Sequence, residues 1–376
     1  MLGVLKYLAG GFTAGWTHGE MQDTRYEIQT EDKNLKNKTL SGLEQVVERS
    51  GQKKFLAGYI FSFIHSKNAA DIDSITPLSK AFRQKLKDDG FYISQIKIVR
   101  KLTDPDGTIK YLFELPDGLA IESVLLTDDD RTTLCASTQV GCAMDCEFCA
   151  TGKIQFARNL SAAEISDQVN AIEKGRKTKI SNVVFMGMGE PLANYQNTLR
   201  AVRILNDPAG KNIGIRHITI STCGLADKIK MLADEDIRPR LSISLNAADN
   251  VLRSKLMPIN KKYPLRILLN AVQAYQHKTR QRVTFEYVLI KGVNDSDEDA
   301  KKLVSLVRNI MCNINLIELN LYPNCEFKPA SKQRISRFAR ILQQAGIETV
   351  IRFKRGTHIK AACGQLGSDW RIRNAE

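Results

Sequence analysis

No stretch of this 376-residue chain approaches the roughly 18 consecutive apolar residues of a membrane-spanning helix. The opening run Met1-Leu2-Gly3-Val4-Leu5-Lys6 has no basic lead and is broken at Lys6, so a secretory leader is not expected either. Cysteine is sparse. Its 8 residues are too dilute for a disulfide-stapled scaffold. The paired CxxC motifs with a long spacer that usually close a structural zinc site are also missing. The five histidines, His18, His65, His217, His277 and His358, show no ligand spacing. Acid is in deficit, with 41 Asp and Glu against 55 Lys and Arg, a net charge of +14. That balance favours a polyanionic partner, since cations gain affinity for a phosphate backbone by releasing its counterions. The cations gather at Lys53-Lys54, Lys97–Lys101, Lys174–Lys179, Lys261-Lys262 and Arg352–Arg355; a generally basic, solvated surface is the plainer account. With 43% hydrophobic and 26% charged residues, the chain reads as a globular protein of the cytoplasm with reduced thiols, free of any membrane and monomeric.

What the chain does have is three cysteines within eight residues, Gly141-Cys142-Ala143-Met144-Asp145-Cys146-Glu147-Phe148-Cys149. Thiolates at CxxxCxxC spacing on one loop can hold three irons of a cubane cluster and leave the fourth open to a substrate or cofactor. The alternatives are a zinc site, which Cys135 could close as a fourth ligand, or a chance grouping.

The chain changes character along its length. Residues 1–39 are irregular. From 40 to 94 short amphipathic helices are expected around Leu43–Val47, Phe55–Ile64 and Leu78–Leu86, with Tyr59, Phe61 and Phe63 in the core rather than forming a base-stacking platform. Over 95–127 three strands follow, Ile96–Val99, Lys110–Leu115 and Ala120–Leu126, turned at Asp104–Gly107 and Pro116–Gly118. From 128 to 376 strands at Thr133–Thr138, Asn182–Met188, His217–Cys223, Leu241–Asn246, Val283–Ile290, Ile314–Leu321 and Thr349–Phe353 alternate with helices. Among these are Ser161–Gly175, opened by a capping box, Asp295–Ile310 and Lys332–Gln344. Alternation of this kind predicts an α/β fold with a parallel sheet, an open doubly wound sheet or a full or partial barrel, whose site lies at the carboxyl ends of the strands. The cysteine loop, Gly187–Pro191, Ser221–Gly224, Ser244–Asn246 and Asn320 all fall on that rim.

The triad after a strand, followed by Phe185-Met186-Gly187-Met188-Gly189-Glu190-Pro191, resembles the radical S-adenosylmethionine superfamily. Two further runs, Leu256-Met257-Pro258-Ile259-Asn260-Lys261-Lys262-Tyr263 and Ala361-Ala362-Cys363-Gly364-Gln365-Leu366, narrow the resemblance to the RlmN/Cfr group of RNA adenosine C-methyltransferases. It covers about residues 40 to 370. Pro191 after Glu190 is similar to the RlmN branch, because Cfr enzymes tend to carry Ala there. The resemblance implies a partial (β/α)6 barrel behind a small helical RNA-binding domain and a short β connector. It implies a [4Fe-4S] cluster on Cys142, Cys146 and Cys149, and S-adenosylmethionine held by Gly189, Glu190, Ser221, Ser244, Leu245, Asn246 and Asn320. Two molecules of that cofactor would be used per turnover. One methylates Cys363; the radical made from the second removes a hydrogen from the new methyl, which then adds to the base and leaves a covalent RNA adduct. Cys135 would resolve the adduct through a transient disulfide with Cys363, and Glu122 would accept the C2 proton. The implied substrates are 23S rRNA and tRNA, and the implied electron source is a reductant such as flavodoxin. C8 methylation of the same rRNA adenosine, as in Cfr, stands as the alternative, and a zinc-bound RNA-binding module without catalysis as a remoter one. The chain departs from the family at Asn246, where His is frequent, and at His358 and Lys360, where an acidic pair is frequent. A lysine there should favour the Cys363 thiolate. Cys223, Cys312 and Cys325 carry no implied role.

Overall fold

The computed structural model describes residues 32–128, 131–176, 179–352 and 354–367; residues 1–31 of the expected irregular segment lie outside these. The chain then enters α1 (Leu40–Arg49), α2 (Leu56–His65) and α3 (Lys80–Asp88). Thr39 and Ser79 start α1 and α3 by accepting the backbone N–H of Gly42 and Phe82, the usual way to satisfy an orphan helix donor. Leu43, Val46, Val47, Ile60, Phe61, Ile64, Phe82 and Leu86 are buried in the same core as the sheet. The aromatic run of α2 therefore divides. Phe61 is in the core as expected, whereas Tyr59 is 44% exposed and meets exposed Phe55 edge-on, because helical spacing puts residues 59 and 61 on different faces.

Two buried ion pairs lock these helices down. Lys36 Nζ reaches Asp167 Oδ1 at 2.7 Å, while Asp167 Oδ2 accepts the Ile96 N–H at 2.9 Å. Lys211 pairs with Glu173 at 2.6 Å. Between the two cations sits His65, fully buried against Phe61, and neither of its ring nitrogens has a partner.

Next come β1 (Lys97–Thr103), β2 (Ile109–Glu114), β3 (Ala120–Asp128) and β4 (Arg131–Cys135), each antiparallel to the one before it. The 95–127 region thus runs straight into the main sheet, since Val124–Asp128 pairs with Arg131–Cys135. After β4 a short ladder of β5 (Gln139–Val140) and β6 (Arg158–Asn159) closes the base of the cysteine loop. The rest alternates: α4 (Ala162–Lys174), β7 (Asn182–Phe185), α5 (Tyr195–Asn206), β8 (Ile218–Thr222), α6 (Ala226–Leu232), β9 (Arg240–Ser244), α7 (Asn250–Leu256), α8 (Leu265–Thr279), β10 (Val283–Leu289), α9 (Asp297–Val307), β11 (Cys312–Glu318), α10 (Lys332–Gln344) and β12 (Thr349–Arg352).

Strand order is β1-β2-β3-β4-β7-β8-β9-β10-β11-β12, and every pairing from β4 to β12 is parallel. Six β/α units followed by a seventh parallel strand make the expected partial barrel, extended on one edge by an antiparallel hairpin set. The capping box at Ser161–Glu164 is present. On α9 the cap is Ser296, paired with Asp299, so the helix begins two residues later than the expected Asp295. Asn294 instead donates to the carbonyls of Asn246 and Val288 and accepts the Ile290 N–H. No helix among the described residues is long and apolar enough to cross a membrane.

Candidate active site

The cysteine loop spans the gap between β5 and β6, and its entry is set by a glycine. Gly141 has φ +75°, and a β-carbon there would lie 2.2 Å from the Gln155 carbonyl oxygen. Arg158 pins the exit through Asp117 at 2.6 Å and Glu164 at 2.9 Å. The loop presents Cys142, Cys146 and Cys149 to a cavity of about 160 Å³, whose wall also carries Gly189, Glu190, Ser221, Ser244, Asn246, Asn320 and Cys363. These come from the ends of β4 and β7 to β11 and from the C-terminal segment. The predicted rim is therefore one surface. A larger cavity of about 340 Å³ touches the same loop at Glu147 and Lys153 but carries none of the cysteines.

Burial and the neighbouring thiols raise two members of the triad, Cys142 to about 12 and Cys146 well above the ordinary range. Those two donors thus hold their protons until a metal displaces them. Three sulfur donors on one loop, with no fourth beside them in sequence, fit a cubane cluster with one open iron. Among the described residues no group of three or more His, Cys, Asp or Glu closes on a single ion, whereas a cluster holds its thiolates at separate corners.

The remaining expected residues are placed unequally. Glu190 is buried, its carboxylate accepting the N–H of Leu192 at 3.0 Å and of Cys223 at 2.7 Å, while Gln139 Oε1 accepts the Glu190 N–H. Gly189 has φ +98°, and Gln139 lies where a β-carbon would be, so both the backbone and the space call for glycine. Asn320 Nδ2 donates to the Cys363 carbonyl at 3.0 Å. The amide of Asn246 is engaged, accepting the Val288 N–H and donating toward Met257 sulfur. Leu245 is fully buried, and its carbonyl receives Arg253 Nε.

Cys363 has exposed surface on the cavity. Its segment is strapped to the cysteine loop by Ala150 N–H to Gly364 O at 2.7 Å and Thr151 Oγ1 to Leu366 O at 2.7 Å. Cys135, at the end of β4, is buried, and a Cys363 anion would add to the burial that raises its thiol. All eight cysteines are free thiols; the expected disulfide between these two is not formed in this state. Glu122 does not line the cavity. It pairs with buried Lys110 at 3.1 Å and accepts the Gly367 N–H at 2.7 Å. The charge acting favourably on Cys363 is Arg352, not Lys360 as expected. Burial and the Glu286 carboxylate outweigh it and push the thiol up to about 11.

Three contributors carry no motif. Cys223 lines the cavity beside Glu190. Arg253 is fully buried and donates to the carbonyls of Cys223, Ser244 and Leu245 and to Asn260 Oδ1. Glu286 is the one charged residue of β10 and bonds to Ser221. A lone acid in an otherwise apolar strand was the available signal for Glu286.

Residues 136–304 match the radical SAM superfamily, and residues 33–90 match the ribosomal RNA large subunit methyltransferase N-terminal domain. A Thermotoga maritima protein named "Probable dual-specificity RNA methyltransferase RlmN" is 48% identical over 89% of this chain and 97% of its own length. A Geotalea uraniireducens protein named "Dual-specificity RNA methyltransferase RlmN" is 44% identical over 89% of this chain and 96% of its own. A crystal structure of a radical SAM methyltransferase from Sphaerobacter thermophilus superposes with a TM-score of 0.83 at 44% identity, covering 89% of this chain and 99% of that one.

Proposed function

The chain belongs to the RlmN/Cfr family of radical S-adenosylmethionine RNA methyltransferases, and on that footing we propose that it methylates carbon 2 of adenine in RNA with Cys363 as methyl carrier. The observation that supports this reading is the shared cavity: Cys363 opens onto the space framed by the cysteine triad, and its charge reaches the Cys135 thiol. An aromatic C2 has no nucleophilic character, so a methyl cation cannot be passed to it directly and a carrier sulfur is needed.

When bound, the cluster and S-adenosylmethionine would supply one-electron chemistry next to that sulfur. Cys142, Cys146 and Cys149 would hold the cluster, and Gly189, Ser221, Ser244 and Asn320 would contact the cofactor. The backbone around Glu190, Leu245 and Asn246 would shape the wall. Cys363 would accept a methyl; that one-electron chemistry would remove one hydrogen atom from it and, once its carbon has joined the base, one electron. With the C2 proton gone, the Cys135 thiol would attack the Cys363 sulfur, breaking its bond to that carbon and releasing the methylated RNA as a disulfide forms. Glu122, joined to the carrier segment through Gly367, would take the C2 proton. The dual specificity named for the relatives supports two RNA substrates, an adenosine in the peptidyl-transferase region of 23S rRNA and the adenosine 3′ of the anticodon in tRNA. A flavodoxin-type donor would reduce the cluster, and the helical domain over 40–94 would dock RNA.

Anaerobic turnover on each RNA, followed by nucleoside mass spectrometry, tests the reading. 2-Methyladenosine is expected, absent with Cys363→Ala, and Cys135→Ala should give an RNA–protein band on a denaturing gel. Detection of 8-methyladenosine would instead favour the Cfr-like alternative, for which Pro191 gives no support.

A further inference from the structure

Three acids, Glu122, Glu190 and Glu286, are buried in the core of the site region, and two are already committed to backbone donors. Glu190 accepts the N–H groups of Leu192 and Cys223, and Glu122 holds Lys110 and the Gly367 N–H. Glu286 is different. It lies on the cavity wall with Cys363, and its partners are side chains of other strands facing the same interior. Ser221 Oγ on β8 donates to Oε2 at 3.2 Å. Asn315, in register with Glu286 on β11, bonds to it as well. With the Asn315 amide oxygen turned toward β12, the Arg352 guanidinium donates to that oxygen at 3.1 and 3.3 Å. Ser221, Glu286, Asn315 and Arg352 thus form one chain of bonds across four strands. A carboxylate on an apolar strand is costly without partners, and this network supplies them without using up the carboxylate's capacity to accept.

We propose that Glu286 takes the proton of the Cys363 thiol when that sulfur is methylated, with Ser221, Asn315 and Arg352 holding the carboxylate for the task. This rests on the carrier role proposed above for Cys363. The step balances: the carbon–sulfur bond forms at Cys363 and the S–H bond breaks. The proton passes to the carboxylate, and the sulfonium donor leaves as a neutral thioether. Burial raises the carboxyl, which strengthens it as an acceptor, and raises the thiol too, which is why the sulfur needs one. The charged or titratable groups around the pair are Cys135 on β4, Cys149, Arg352 on β12 and, at the rim, Glu318 paired with Lys354 at 2.8 Å. None of the others is a carboxylate free of a cation or of backbone donors.

The test uses anaerobically reconstituted protein without RNA and two readouts on each sample. The first is the methyl content of the Cys363 peptide after one exposure to S-adenosylmethionine; the second is the rate of Cys363 alkylation by iodoacetamide against pH. Glu286→Gln keeps the bond from Ser221 but cannot take a proton. It should slow Cys363 methylation about 100-fold, with the remaining rate rising in proportion to hydroxide. Alkylation should become faster and its midpoint should move to lower pH, because the repelling anion is gone. Glu286→Asp should recover part of the methylation. Methylation and alkylation falling together would mean a structural role only, and unchanged methylation would remove Glu286 from the step; either overturns the proposal. A wild-type Cys363 that never gains methyl would instead sink the carrier role, and this proposal with it.

Discussion

Arg253→Met tests whether a buried guanidinium braces the floor of the site. Arg253 has no exposed surface, and its Nη2 bridges the carbonyls of Cys223 at 2.8 Å and Ser244 at 3.2 Å, just past β8 and at the end of β9. Nε serves the Leu245 carbonyl and Nη1 serves Asn260 Oδ1, each at 3.0 Å. Not all four acceptors suffer equally from its loss. Leu245 O keeps the Ala247 N–H, and Ser244 O sits at the longest contact. Cys223 O and Asn260 Oδ1 lose their shortest charged donor. A buried acceptor left without a partner costs about 1–3 kcal/mol, so two give about 2–6 kcal/mol. Removing the desolvated charge itself offsets part of this. The expected net loss is about 2–4 kcal/mol, a fall of roughly 30- to 1000-fold in the folded-to-unfolded ratio. Urea titration of the reconstituted protein reads it. Arg253→Lys should also lose stability, because a single ammonium cannot reproduce the planar fork. In the folded fraction, equilibrium dialysis should show weaker S-adenosylmethionine binding, since Ser221, Ser244 and Asn246 stand on the two braced strand ends. A loss below about 0.5 kcal/mol, within the range of ordinary surface changes, would refute the energetic argument. Undiminished cofactor affinity at reduced stability would refute the bracing of the site.

Gly141→Ala forces a side chain into φ +75° and against the Gln155 carbonyl. It should cost about 1–3 kcal/mol of local strain and lower the iron and acid-labile sulfide bound per chain, measured after anaerobic reconstitution; full cluster content would contradict the geometry. His65 is neutral in the fold because burial, with Lys36 and Lys211 nearby, lowers its pKa from 6.5 to about 3. The unfolded chain binds the proton first as pH falls, so this group's contribution is intact above pH 6.5 and is lost toward pH 3, at about 1.4 kcal/mol per pH unit. His65→Leu should flatten that acid limb in urea titrations between pH 6 and 4. A limb equally steep in the variant would show that the buried imidazole is not its source.

How legible the site was in the sequence follows from where each part's chemistry is written. The triad was legible because three thiolates must share one loop to share one cluster, so their spacing is the signal. The rim was legible for a related reason: parallel strands end on one side, which gathers Gly189, Ser221, Ser244 and Asn320 once the strands are found. Cys135 and Cys363 were marked only through family resemblance, because nothing local in the sequence singles out either thiol. The interior network had no such route. Ser221 stands out only as a rim residue and Glu286 only as a lone acid in its strand, while Asn315 and Arg352 are ordinary where they stand; the four become a unit only when strand register sets Glu286 beside Asn315 and β12 closes the row. The same register explains the misread charge near Cys363. Lys360 is three residues away along the chain, but Arg352 is the cation whose field reaches the sulfur. In a sheet-built site, then, sequence proximity ranks the loop ligands correctly and misranks the charges that act across strands. For this family fold, the electrostatics of the Cys363 sulfur has to be argued from register first and from neighbours in the chain second.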